Sequence, residues 1–101
     1  MPLTPKQRQF LKGLAHSREP VIRVGRAGVS DAVVAETKKS LAAHELIKVR
    51  IDGDESALRK ALAEALATAS DAEIAAIIGK TAILFRPRDE KPTIKLPELQ
   101  S

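Results

Sequence analysis

The residues of this chain best suited to chemistry are Gly25, Arg26, Ala27 and Gly28. A glycine at each end allows positive φ angles and close approach of another molecule to the backbone. Ser30 followed by Asp31, Ala32, Val33 and Val34 reads as a helix start, and a helix N-terminus presents unpaired N–H groups and a partial positive charge. The chemistry this suits is anion binding, with Arg26 adding a guanidinium that can hold a phosphodiester together with the loop amides. The competing reading is a tight strand-to-helix turn that binds nothing. Two better-known phosphate loops do not fit. A P-loop requires Lys-Ser or Lys-Thr directly after its second glycine, where this chain has Val29-Ser30, and a dinucleotide fold requires glycine where Arg23 stands.

Other chemistry is weakly represented. His16 and His44 share no one-turn spacing with each other or with a carboxylate pair, so no metal site is expected, and no cofactor motif is present. Near the loop there is no paired carboxylate or Ser-His constellation, which leaves an enzyme acting on a small phosphorylated ligand as the lesser alternative, with no catalytic residue to name. The chain has no cysteine, which removes disulfides and thiolate metal sites and suits a reducing compartment. No apolar run approaches the roughly 20 residues that span a bilayer, so a soluble cytoplasmic protein with no membrane contact is expected.

The elements that must position the loop follow from periodicity. Thr4-Pro5-Lys6-Gln7 has an N-cap threonine, proline at the first helical position and Gln three residues after the cap, the pattern of a capping box. In the helix it starts, Phe10, Leu11 and Leu14 are predicted to face the core, with Arg8 and Lys12 one turn apart on an adjoining flank. His16 and His44 fall at helix ends, where an imidazole can meet orphan carbonyls. Val21 to Val24 reads as a strand, Asp31 to Ala43 as a second helix buried through Val33, Val34, Thr37 and Leu41, and Leu46 to Ile51 as a second strand. A third helix is predicted to bury Leu58, Ala61, Leu62, Ala65 and Leu66, with Asp54 or Ser56 as its cap. Ile74 to Ile78 and Thr81 to Arg86 form a hairpin across Gly79-Lys80. Pro87, Pro92 and Pro97, with charges between them, make residues 89–101 an extended or disordered tail with little to bury, so that Ile94, Leu96 and Leu99 are not needed for folding.

The fold class is therefore α/β, a single compact domain over residues 1–88 in α-β-α-β-α-β-β order, with a four-stranded mixed sheet and packed helices. Each strand-helix-strand unit is expected to pair its strands in parallel.

Of the 101 residues, the first 28 carry six basic side chains against Glu19 alone, a net +5, while the whole chain is only +4. The excess charge thus lies on the first helix and the glycine loop, the footprint expected for a polyanion. A solvated basic surface with no partner is the plainer reading.

The run Lys12-Gly13-Leu14-Ala15-His16, the Gly25 to Gly28 loop, His44-Glu45-Leu46-Ile47-Lys48-Val49, and Ile78-Gly79-Lys80 with Phe85-Arg86-Pro87 resemble, in matching order, the CRM domain. This is the chloroplast RNA splicing and ribosome maturation domain, and the likeness is to its stand-alone bacterial YhbY-like members over roughly residues 3 to 88. The resemblance implies a fold similar to the C-terminal domain of bacterial translation initiation factor three, and RNA of large-ribosomal-subunit precursors as partner. It maps the family's glycine loop onto Gly25, Arg26, Ala27 and Gly28 and its basic first helix onto Lys6, Arg8 and Lys12. Members often carry Tyr where this chain has Phe85, a change that removes a hydroxyl.

With only Phe10 and Phe85 as aromatics, both expected in the core, recognition is predicted to rest on phosphates and RNA shape. Lys80 and Arg86 are candidates for the edge of the surface. A monomer is expected, with ribosomal proteins as further partners. A basic adaptor that docks ribosomal proteins is the other binding alternative.

Overall fold

The computed structural model describes residues 3–97. Three helices and four strands follow in the order α1 (Pro5–Ala15), β1 (Pro20–Val24), α2 (Asp31–His44), β2 (Leu46–Ile51), α3 (Ser56–Ala69), β3 (Glu73–Ile78) and β4 (Thr81–Phe85). Among the described residues no helix is long and apolar enough to cross a membrane.

Local chemistry sets the helix starts. Thr4 caps α1 by accepting Gln7 N at 3.1 Å, and the Gln7 side chain accepts Thr4 N in return. Ser30 caps α2 through Val33 N at 3.2 Å. At α3 neither Asp54 nor Ser56 is the cap; Glu55 occupies the position and makes no side-chain capping bond.

The four strands form one mixed sheet in the order β1-β2-β4-β3. The first two strands pair in parallel, while β4 runs antiparallel to both β2 and β3. The expected parallel pairing across α3 is not made, because β4 inserts between β2 and β3. The hairpin still forms across Gly79-Lys80, with positive φ at Gly79 (58°). Placing β4 centrally buries Ala82, Ile83, Leu84 and Phe85, both faces of its ladder. That burial is available only if the most apolar strand avoids the edge.

Helices cover both faces. On one, Ile22, Val24, Ile47, Val49, Ile51, Ala82 and Leu84 pack with Leu41 of α2 and Ala63, Leu66 and Ala67 of α3. On the other, Leu46, Ala75, Ile83 and Phe85 pack with Leu3 and with Leu11 and Ala15 of α1. The buried stripe of α1 is thus Gln7, Leu11 and Ala15, whereas Phe10 and Leu14 are each 38% exposed. Helix α3 is likewise turned from its predicted phase: Leu66 is buried as predicted, Ala63 and Ala67 are buried beside it, and Leu58 is exposed.

The segment after β4 has no regular structure, yet it is docked. Ile94 and Leu96 pack on the α1 side of the core, and Gln7 Nε2 donates to Pro97 O at 3.2 Å. This corrects the expectation that the tail buries little; Leu99 lies outside the described residues. The anchor is Glu45, the residue joining α2 to β2 at φ 64°, a conformation uncommon for a side-chain-bearing residue. Its carboxylate is sealed from solvent and accepts from Arg88 N (2.8 Å), Thr93 N (2.8 Å), Thr93 Oγ1 (2.6 Å) and Ile94 N (3.0 Å). Burial alone would raise its pKa, but these four bonds to the charged form outweigh that and hold the carboxyl down at about 2.

Candidate nucleic-acid interface

Parallel pairing of β1 and β2 brings their C-terminal ends to the same end of the sheet, with Val24 opposite Ile51. The glycine loop leaves from the first and the Asp52-Gly53 turn from the second. The β3–β4 turn reaches the same end, where Lys80 O accepts Ile51 N at 2.7 Å. Arg59 fastens these turns together, donating from Nη1 to Gly53 O (2.7 Å) and from Nε to Gly79 O (3.1 Å). The loop is therefore presented from a rigid scaffold.

Within the loop, Gly28 N donates to Gly25 O at 3.0 Å and Ser30 N to Gly28 O at 3.1 Å. Among the described residues, the amides of Arg26, Ala27 and Val29 donate to no carbonyl or side chain. The two glycines differ. Gly28 sits at φ 70°, so the turn itself demands it, and a Cβ there would meet Leu62 Cδ2 at an ordinary 3.8 Å. Gly25 was expected at positive φ as well and is not, and a Cβ there would meet nothing within 4 Å. Folding makes no demand for glycine at position 25. Arg26 is exposed. Asp31, in the first turn of α2, draws on the same helix-dipole field that would attract an anion, which leaves Arg26 as the loop's source of net positive charge.

On α1, Arg8 and Lys12 each follow a buried residue by one position and so share a flank. Arg8 lines a cleft with Ser56, Ala57, Lys60 and Glu64 of α3 and with Ile74 to Ile77 of β3, the strand at the opposite edge of the sheet from β1. Lys6 is exposed on the outer side of the helix. Lys80 is exposed beside the loop end. Arg86 is not part of this group. It lies at the opposite end of the sheet, within 3.8 Å of Asp71 and donating to Ser70 O at 3.5 Å.

Residues 3–86 match the CRS1 / YhbY (CRM) domain. The chain belongs to that family. A Haemophilus influenzae RNA-binding protein is 39% identical over 95 residues, 94% of this chain and 95% of its own length. The "Probable RNA-binding protein YqeI" of Bacillus subtilis is 36% identical over 95 residues, 94% and 99% of the two chains. Among solved structures, the solution structure of SAV1595 from Staphylococcus aureus, proposed to bind RNA, superposes with a TM-score of 0.84 at 33% identity. It covers 94% of this chain and 99% of that one. These relatives are named for RNA binding rather than for a reaction.

This CRM domain also carries cations that reading its sequence did not single out. Helix α1 packs over β3, β4 and β2, leaving the outer face of β1 open. Arg23 and Arg50 are paired positions on β1 and β2, alternate with the core residues Ile22, Val24, Val49 and Ile51, and so emerge on that open face. Asp52 lies between them, 2.8 Å from Arg23 Nε and 3.6 Å from Arg50 Nε. The hydrogen bond from Arg23, helped by the charges of Arg50 and Lys80, holds the Asp52 carboxyl below its ordinary range. Alternation of Arg23 with apolar neighbours was the available signal.

Proposed function

We propose that this protein binds structured RNA through its phosphate backbone, with the Gly25 to Gly28 loop as the clamp and Arg8 and Lys12 extending the track. The observation that carries the reading is Gly25. Its φ is ordinary and its Cβ position is open, so a glycine there is accounted for by something that must approach the backbone from outside the fold. Three unpaired amides and the exposed Arg26 beside it supply donors and charge for a phosphate. Family membership and RNA-binding relatives favour RNA over a small phosphorylated ligand. We further propose, on the resemblance to the ribosome maturation domain, that the RNA is that of a large-subunit precursor, met by a monomer in the cytoplasm.

The deciding experiment is binding of a stem-loop RNA across a salt series. Affinity should fall steeply with salt, and Arg26→Ala should lower the log–log slope by about one phosphate contact. A flat response, or an Arg26→Ala protein that binds as the parent does, removes the clamp. Crosslinking in cells and mapping the attached RNA tests the ribosomal assignment. Docking of ribosomal proteins is the second reading, favoured by the half-exposed Phe10 and Leu14 on α1. It requires association with ribosomal particles to survive ribonuclease treatment.

A further inference from the structure

We propose that Arg23, Arg50 and Lys80, gathered about the Asp52 carboxylate, form a second phosphate site on the open face of β1 and β2, and that Asp52 stands in the phosphate's place until RNA displaces it. The proposal rests on the RNA-binding reading and adds to it a site outside the glycine loop and outside α1.

Three features carry it. The first is charge. One carboxylate among three cations leaves the cluster with a net +2, so its demand for negative charge is unmet in the free protein. The second is geometry. Arg23 donates from Nε to Asp52 Oδ2, Arg50 Nε stands 3.6 Å from Oδ1 as an ion pair without a hydrogen bond, and among the described residues neither arginine donates an Nη hydrogen bond. Those Nη groups are the outer prongs of forks that suit phosphate oxygens. The third is mobility confined to the side chain. Asp52 N donates to Val24 O at 3.0 Å, directly before the glycine loop, and Arg59 ties the following Gly53 to the neighbouring turn. The backbone under Asp52 is thus fixed, and its carboxylate leaves by rotation about its own bonds.

The exchange is inexpensive. The side chains of Arg23, Arg50 and Asp52 are 72%, 49% and 33% exposed, and ion pairs of this kind contribute little to stability. A phosphate entering from the loop side keeps both guanidiniums neutralised and gains the Nη donors that Asp52 leaves unused. The cost of displacing Asp52 then lowers RNA affinity below what the cations alone would give.

The test uses the full chain with a stem-loop RNA and, separately, inorganic pyrophosphate. Asp52→Asn should bind the RNA about fivefold more tightly, the loss of a competing surface ion pair, and steepen its salt dependence. The double variant Arg23→Ala/Arg50→Ala should bind at least tenfold more weakly with its thermal midpoint little changed. In the parent, pyrophosphate should shift the arginine Nε–H resonances of Arg23 and Arg50. Weaker or unchanged binding by Asp52→Asn overturns the exchange, and unchanged binding by the double variant overturns the site. If the parent binds no RNA, the RNA reading fails by itself. The pyrophosphate titration still decides whether this cluster is an anion site, and silent Arg23 and Arg50 resonances would overturn it.

Discussion

The two ends of the sheet handle charge in opposite ways. At the end where β1 and β2 finish, Arg26, Arg23, Arg50 and Lys80 lie open to water, and loop amides are left without partners. At the end where β2 starts, one carboxylate, Glu45, is withdrawn from water and accepts four hydrogen bonds from the segment after β4. A buried charge held by four hydrogen bonds orders the chain around it, while exposed cations with unused donors contribute little to folding and are available to a ligand. The molecule is therefore divided into an end that holds it together and an end that can bind. Changes at one should leave the other intact.

The largest effect should come from the closed end. Ending the chain after Arg88 deletes three of the four donors to Glu45 and the packing of Ile94 and Leu96. A loss of about 3 kcal/mol is expected, on the order of 15 °C in thermal midpoint. RNA affinity of the folded fraction should be unchanged at low temperature. A midpoint within a degree or two of the parent would show that the tail is an ornament on the surface.

Acid should expose the same anchor. The folded-state pKa of Glu45 lies near 2, below the ordinary 4.5, so its contribution is complete above the ordinary value and is lost as pH falls from there toward 2. Denaturant unfolding over that range should show stability declining, and Glu45→Gln, already weakened at neutral pH, should decline less steeply. Parallel curves for the two proteins would mean that other carboxylates dominate.

At the open end the readout is binding, and the expected effects are smaller. Gly25→Ala should fold as well as the parent, within about 0.5 kcal/mol or slightly more stable, because alanine fits the backbone and narrows the unfolded ensemble. Its RNA affinity should drop about tenfold as the methyl blocks backbone approach. Gly28→Ala, by contrast, should cost about 1 kcal/mol through the positive φ at that site. If the two glycine variants lose binding only in proportion to lost stability, the loop is a turn and nothing more.

Smallest of all should be Arg86→Ala. Its bonds are to Ser70 O and Asp71 at the closed end, so RNA binding should stay within experimental error and stability should fall by less than about 1 kcal/mol. A clear loss of affinity would extend the binding surface across the whole sheet and dissolve the distinction between its ends.

Local sequence determined much of this protein. Capping residues Thr4 and Ser30 mark where α1 and α2 begin, Gly79 marks the hairpin, and the glycine loop stands between β1 and α2, because each depends on bonds made within three or four residues. Motif order made the RNA-binding family legible for the same reason. Tertiary structure decided the rest. Gln7 took a core position from Phe10 and Leu14 because a partner 90 residues away, Pro97 O, satisfies its amide. Strand β4 took the centre of the sheet because only there are both its faces covered. Glu45 reads locally as one more surface carboxylate beside His44, and the gathering of Arg23, Arg50 and Lys80 about Asp52 joins three separate strands or turns. Such groupings depend on strand order and register, which are fixed by long-range burial and hydrogen bonding and leave no local periodicity to read.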